Sequence, residues 1–277
     1  KGPALDVDQL KYTYAPWCPP VLQLPQLTLP MRCRCVLVGA NGAGKSTLLS
    51  LLGGRRLLEE ANGRVCVLGH RAFHDHAILD TLVAILSSEW KKQVAEISSG
   101  RSLSFQELAN AALQDLVKAG MDMATLASRM IRLVQMLGIE PAKPLGTLSD
   151  GMMRRVQIAL KLLRPAQLLL VDEVTADLDV LARQALLSFL REESENGAAV
   201  VYCTHIMDGL DGWATHVLRL KPGAHGGELL ALGGATEEEA LGGRLGDAVL
   251  RMLREDAALA ASSPPDLPLA PPRSSAK

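Results

Sequence analysis

CVLVGANGAGKSTLL, residues 35–49, decides how the rest of the chain is read. Cys35 to Val38 form a short apolar run of the kind that makes a buried strand. They lead into GANGAGKS at 39–46, which fits G-x-x-x-x-G-K-[ST], and a helical run opens at Lys45 and continues to about Leu52. Each part of that pattern has a physical purpose. Glycines let the backbone wrap closely around an anion, and the loop amides and the helix N-terminus then face its negative charge. The candidate nucleotide-binding residues are therefore Gly39, Ala40, Asn41, Gly42, Ala43, Gly44, Lys45, Ser46 and Thr47. Lys45 is expected to reach the β and γ phosphates, and the Ser46 hydroxyl to ligate Mg²⁺. The competing reading is a chance match in a turn, which the strand–loop–helix context disfavours.

Downstream, LLLVDE (168–173) is an apolar strand ending in two acids, at the edge of the sheet where α/β proteins hold ligands. Asp172 suits the Mg²⁺ shell, and Glu173 suits orienting or deprotonating an attacking water. Alone this pattern is weak, because acids after a strand are often simply solvated. LSDGMMRR (148–155) opens a helix just upstream, TADLD (175–179) follows Glu173, and His205 ends the next strand in YCTHIMDG. A lone histidine at a strand end is more often a structural hydrogen-bonder, but its place after the other elements favours a functional role.

LSDGM resembles the LSGGQ signature of ATP-binding cassette (ABC) ATPases. The order of aromatic, P-loop, helical insertion, signature, acids, D-loop and histidine matches that family over roughly residues 5–220. The resemblance implies a P-loop NTPase of α/β class with a mixed-sheet core, an antiparallel β subdomain and a helical subdomain. It implies Mg-ATP hydrolysis in a head-to-tail dimer with Glu173, His205 and Lys45 as the catalytic set. By the same resemblance Tyr14 is the aromatic that stacks on adenine, with Tyr12 the alternative. His205 contacts the γ-phosphate, and Ser149 and Gly151 contact ATP held by the partner protomer. RAFHD (71–75), LLLVDEVTADLDV and YCTHIMDGLDGWATH are similar to a narrower group. That group comprises soluble plant and algal subfamily I ABC proteins and a fungal ABC ATPase associated with the Ccr4-Not complex. Two departures stand out. The signature glutamine is Met152, and the usual Q-loop glutamine is missing from AILSSEWKKQ, where Glu89 or Trp90 holds roughly that place and Gln93 is a displaced candidate.

Composition agrees with a single large cassette. The chain has 277 residues, is 48% hydrophobic with few aromatics, and carries a formal net charge of −1. A core of Leu, Val, Ala and Ile suits a buried parallel sheet, and the absence of a basic block argues against direct nucleic-acid binding. Cys18, Cys33, Cys35, Cys66 and Cys203 are odd in number and read as reduced thiols of an intracellular protein, with zinc on the Cys33/Cys35 pair as the sharper alternative. No apolar stretch reaches a membrane span and the start lacks a signal-peptide pattern, so the cytosol is the expected compartment, with the nucleus as the alternative.

Strands are expected at 4–14, 21–30, 65–69, 168–172 and 199–204, and a closing ribbon at 213–220 and 227–234. A helical insertion is expected over about 90–160, opened by Ser102 or Ser104, with another helix at about 179–195 and a last one capped by Thr236 and Glu239 and running to about Ala260. The cassette is drawn as 1–256, with its ribbon and last helix in about 213–256, and a disordered Pro/Ser-rich tail at 257–277. The cluster His74, Asp75, His76 reads as a solvated loop or domain contact rather than a metal site. The expected partners are ATP, a second copy or a paralogue, and a regulatory protein complex. The alternatives are the ATP-binding subunit of a membrane transporter and a weakly active nucleotide-binding scaffold.

Overall fold

The computed structural model describes residues 2–87, 103–175, 178–221, 227–232, 241 and 243–262. The chain divides into two compact units. One comprises Lys1–Met31, Cys35–Leu79 and Leu210–Lys277, and the other Arg32–Arg34 and Asp80–Gly209.

The first unit holds an antiparallel sheet of β1 (Leu5–Tyr12), β2 (Leu22–Leu29), β4 (Arg64–Val67) and β5 (His70–Arg71), in the order β2-β1-β4-β5. In β1 and β2 the apolar alternation breaks once and in step. Val7 pairs with Leu27 and Leu10 with Leu24, and all four are buried although residues 7 and 10 would face opposite sides of an unbroken strand. The backbone at Gln9 turns through φ 50°, and Pro25 brings no N–H to the ladder. Both strands change face together, so the leucines stay in the core. The same unit holds β3 (Arg34–Val38), running parallel to β9 (His216–Leu220), and β10 (Gly227–Ala231), antiparallel to β9. The ribbon expected near the end is therefore present. α1 (Lys45–Leu52) buries Leu48, Leu49, Leu51 and Leu52.

The last helix, which becomes α7 below, spans Leu245–Ser262; it ends near the expected Ala260 and so passes the cassette boundary drawn at 256. Thr236 and Glu239 lie outside the described residues. Arg219 of β9 ties this helix down. Its guanidinium donates to Asp256 Oδ1 from Nη2 (2.7 Å) and Nε (3.2 Å), to Glu255 (2.8 Å) and to the Met252 carbonyl (2.9 Å). The Asp256 side chain is fully buried.

In the second unit β6 (Val83–Leu86), β7 (Leu168–Asp172) and β8 (Ala199–Cys203) are parallel, with β7 between the other two. Every residue of β8 and the first four of β7 are buried, as expected of strands covered on both faces. The helices are α3 (Phe105–Lys118), α4 (Met123–Leu137), α5 (Asp150–Leu162) and α6 (Val180–Glu195). Ser104, not Ser102, opens α3 through a capping box in which its hydroxyl and the Glu107 carboxylate each accept a backbone N–H. Asp122 and Asp179 cap α4 and α6 by a one-way bond, their carboxylates accepting the N–H of Thr125 and of Ala182. Arg129 of α4 makes a two-armed pair with Glu193 of α6 (2.7 and 2.8 Å) and donates to the Leu162 carbonyl of α5 (2.6 Å), which fastens three helices at one guanidinium.

Among the described residues the strands β5 and β6 and the helix α2 (His76–Leu82), which crosses from Leu79 of one unit to Asp80 of the other, escaped the sequence reading. Asp75 leads into α2. Its carboxylate accepts the Arg71 N–H at 2.7 Å, and its carbonyl accepts the amides of Ile78 and Leu79. VAIL is too short for periodicity to separate strand from helix, so β6 is identified only by its pairing with β7.

Replacing Asp256 with Ala should lower unfolding stability by about 3 kcal/mol or more, because Arg219 would stay buried with its main counter-charge gone. Urea denaturation checks this, with Leu250→Ala, at an exposed position of the same helix, expected to change stability by about 0.5 kcal/mol or less.

Candidate functional site

In the first unit the P-loop runs from the end of β3 to the start of α1. A Cβ on Gly39 would lie 2.5 Å from the Leu220 carbonyl oxygen, so the loop leaves the sheet against a neighbouring backbone that admits only glycine. Gly44 caps α1 in the left-handed region at φ 90°. The Lys45 ammonium reaches back across the loop, donating to the carbonyls of Gly39 (2.8 Å) and Ala40 (3.0 Å). The lysine is buried, whereas Asn41, Gly42 and Ser46 are exposed. A ring of backbone closed by one ammonium and open on one side is the geometry that receives phosphate.

Tyr14 stands beside this loop. Its hydroxyl and that of Thr47 are 2.6 Å apart, the edge of Tyr12 lies against its ring at 5.5 Å, and the Arg56 guanidinium lies 4.9 Å from the ring centroid. Tyr14 is nonetheless 53% exposed, so a large apolar surface is offered to solvent in a fixed orientation. Of the two tyrosines read from the sequence, Tyr14 is the one bonded to the loop. Arg56 was not singled out from the sequence, because nothing in RRLL links it to an aromatic forty residues earlier in the chain (~40 by its numbering).

In the second unit the register of β7 with β8 sets Asp172 against Cys203. Glu173 then turns out of the strand at φ 49°, and its N–H donates to the Cys203 carbonyl at 3.0 Å. Positive φ is costly for a residue with a side chain and concentrates at functional sites. Here it brings the Glu173 Oε1 to 2.8 Å from the His205 Nε2. Both side chains are about half exposed, and the carboxylates of Asp172 and Glu173 and the Cys203 sulfur lie within 4.8 Å of one another. Behind them the buried hydroxyls of Tyr202 and Thr175 meet at 2.6 Å and fix the turn that follows the acids.

Ser149 is the N-cap of α5, its hydroxyl accepting the Met152 N–H at 3.4 Å. Ser149 and Asp150 are exposed and Gly151 is partly so. Two arginines of the same helix reach the acidic turn. Arg154, buried to 3% exposure, donates to the carbonyls of Ser87 (3.0 Å) and Val174 (3.4 Å), and Arg155 pairs with Asp179. The Ala182 amide foremost, and Arg155 next, hold the Asp179 carboxyl below its ordinary range. A lowered carboxyl contributes stability above its unfolded-state pKa and loses it as pH falls through the folded-state value, so this link weakens in acid. The arginine pair was visible in LSDGMMRR, but its inward direction was not. Ala176 and Asp177 of the D-loop-like stretch, and Glu89, Trp90 and Gln93, lie outside the described residues.

Two other sequence features resolve into packing. Trp213 of WATH is buried, and the Thr215 hydroxyl meets His216 Nδ1 at 2.9 Å. Burial pushes the Cys33 thiol up to about 11, which keeps it protonated. Among the described residues no helix is long and apolar enough to cross a membrane.

Residues 22–176 match the ABC transporter family, ABC_tran. ABC transporter I family member 20 of Arabidopsis thaliana is 39% identical over 232 residues, which cover 80% of this chain and 68% of that protein. CCR4-associated factor 16 of Saccharomyces cerevisiae is 38% identical over 234 residues, covering 79% and 76%. Among solved structures, an ATP binding subunit of an ABC transporter superposes with a TM-score of 0.70 at 22% identity, covering 90% of this chain and 99% of that one. cbiO1 from Clostridium perfringens does so with a TM-score of 0.66 at 21% identity, covering 94% and 100%. These two likenesses are of fold.

Gly39→Ala should cost about 2 kcal/mol or more and weaken nucleotide binding with it, since the added methyl meets a carbonyl that cannot yield. Thermal melts with and without ATP check this. Gly146→Ala, where a Cβ has open space, serves as the control that leaves both unchanged.

Proposed function

We propose, from the premise that this chain belongs to the ABC transporter family and is an ATP hydrolase, that it works as a head-to-tail dimer closed by two molecules of Mg-ATP. In this reading the dimer is a nucleotide-driven switch in an intracellular regulatory assembly. The observation that carries the dimer is the exposure of the turn at Ser149 to Gly151. A serine cap and outward-facing amides at a helix start form an anion site, and a turn open to solvent is one that a neighbour's nucleotide can reach. Its burial inside its own fold would have excluded the arrangement. The regulatory role rests on the likeness to CCR4-associated factor 16.

Each half of the chemistry is assigned to residues already described. Tyr14 presents its exposed ring to adenine, held in place by Thr47 and Arg56. Lys45 exchanges its loop carbonyls for the β and γ phosphate oxygens. Glu173 takes the proton of the attacking water, and His205, 2.8 Å away, holds that carboxylate in line and contacts the γ-phosphate. Asp172, which ends β7, and Ser46 are oxygen donors of the kind Mg²⁺ selects and would hold it. When bound, the ion neutralises charge on the phosphate oxygens. ATP binding then favours the closed dimer and hydrolysis the open one, a two-state equilibrium biased by ligand.

Glu173→Gln should keep ATP affinity, lower kcat by about 100-fold or more and trap an ATP-dependent dimer visible by analytical ultracentrifugation. Lys45→Ala should abolish binding itself. Equal loss of binding in both variants would refute this division of labour. Met152→Gln restores the amide that the signature turn lacks and should raise turnover. An unchanged rate would mean that the turn acts through its backbone and Ser149 alone.

A further inference from the structure

We propose that the nucleotide-free protein binds one soft divalent cation of the zinc–cadmium class at the ends of β7 and β8, on Asp172, Glu173, Cys203 and His205. The two carboxylates and the Cys203 sulfur have ligand atoms within 4.8 Å of one another. The His205 Nε2 adjoins the same group, 2.8 Å from the Glu173 Oε1. The fold explains why three of these donors gather and a fourth adjoins them. Parallel register sets Asp172 beside Cys203. His205 lies two residues past Cys203, beyond the end of β8, and its imidazole turns to the Glu173 carboxylate. The positive-φ turn at Glu173, tied to the Cys203 carbonyl, brings the second carboxylate back over both.

Distances and mobility suit a metal. Ligand atoms around tetrahedral zinc lie about 3.6 Å apart, given bonds of about 2.0–2.3 Å, so Asp172, Glu173 and Cys203 need to draw together by about 1 Å, with His205 following Glu173, which it touches. Glu173 and His205, each nearly half exposed, supply the movement and the entry path, while Asp172 and the buried Cys203 supply the fixed end.

The donor set selects the ion. Two carboxylates alone suit hard cations such as Mg²⁺. A thiol and an imidazole beside them shift the preference toward zinc and cadmium. On loading, the Cys203 S–H proton passes to solvent as the sulfur–metal bond forms, and the imidazole binds as its neutral form. No electron is transferred. Glu173, with its lone pair on the cation, no longer accepts a proton from water, so hydrolysis stops. That consequence rests on the role proposed above for Glu173, whereas the binding does not.

The test titrates Cd²⁺ into the nucleotide-free full chain. It follows the ultraviolet sulfur-to-cadmium charge-transfer band and measures bound metal by equilibrium dialysis. The wild type should show one equivalent and a band component that Cys203→Ser lacks; the other four cysteines remain in both proteins and cancel in the difference. His205→Ala and Glu173→Gln should each weaken cadmium binding by about tenfold or more. Zinc should inhibit hydrolysis by the wild type at concentrations that do not slow Cys203→Ser, each protein being compared with its own zinc-free rate. Equal bands and equal affinities in wild type and Cys203→Ser would overturn the site, as would unaltered affinity in His205→Ala. If Cys203→Ser does not fold by circular dichroism, the two variants at exposed side chains decide the matter alone. A cadmium band in a protein that hydrolyses no ATP would defeat the proposed function and leave this site standing, and hydrolysis without the band would do the reverse.

Discussion

The hydrogen bond from the Glu173 amide to the Cys203 carbonyl sets the direction of everything that follows β7. A strand that simply continued would carry Glu173 along the sheet and away from Asp172. Held at φ 49°, the chain turns sharply, and the second acid comes to face the end of β8. The turn is held from behind by the Tyr202–Thr175 hydroxyl pair and from the side by the Arg154 guanidinium on the Val174 carbonyl. Strain at the acid is thus maintained by polar contacts that are themselves buried, where a lost partner is expensive. The helix that begins with the Ser149 turn supplies one of those contacts, so the turn and the acids are mechanically joined through α5.

Each unit is also fastened by a charged pair taken out of water: Arg219 with Asp256 in one, Arg129 with Glu193 in the other. Apolar substitutes of equal volume often match the stability of such pairs. What the pairs add is direction. A guanidinium with several fixed acceptors admits one placement of α7 on β9, and one placement of α4 against α5 and α6, where leucines alone would allow sliding. In a protein with so few aromatic residues, shape in the core is less distinctive, and directional contacts carry more of the specification.

The sequence made the principal strands, the P-loop and most of the helices legible because each announces itself locally. A glycine pattern, an apolar run ending in acids, or Ser104 with Glu107 can be read without knowing the neighbours. The candidate site residues Lys45, Asp172, Glu173 and His205 were legible for the same reason, since motif order names them. What escaped depends on partners distant in the chain. β6 is a strand because β7 lies beside it, Arg56 matters because Tyr14 lies under it, and Arg154 faces inward because the Val174 carbonyl is there to receive it. Cys203 was read only as a core thiol, because its position beside Asp172 is a fact of register.

The synchronised change of face in β1 and β2 has a bearing on how this sheet can vary. Gln9 and Pro25 act as the two halves of a key: each is tolerable only while the other strand makes the same half-turn. Removing the kink from one strand alone would send its remaining leucines to the solvent side while its neighbour kept them inside. Single substitutions that straighten either strand are therefore closed to drift, and the two positions are bound to alter as a pair or to persist together. The hairpin that carries Tyr14 toward the loop keeps its length and its phase by this lock, and the aromatic keeps its station with it.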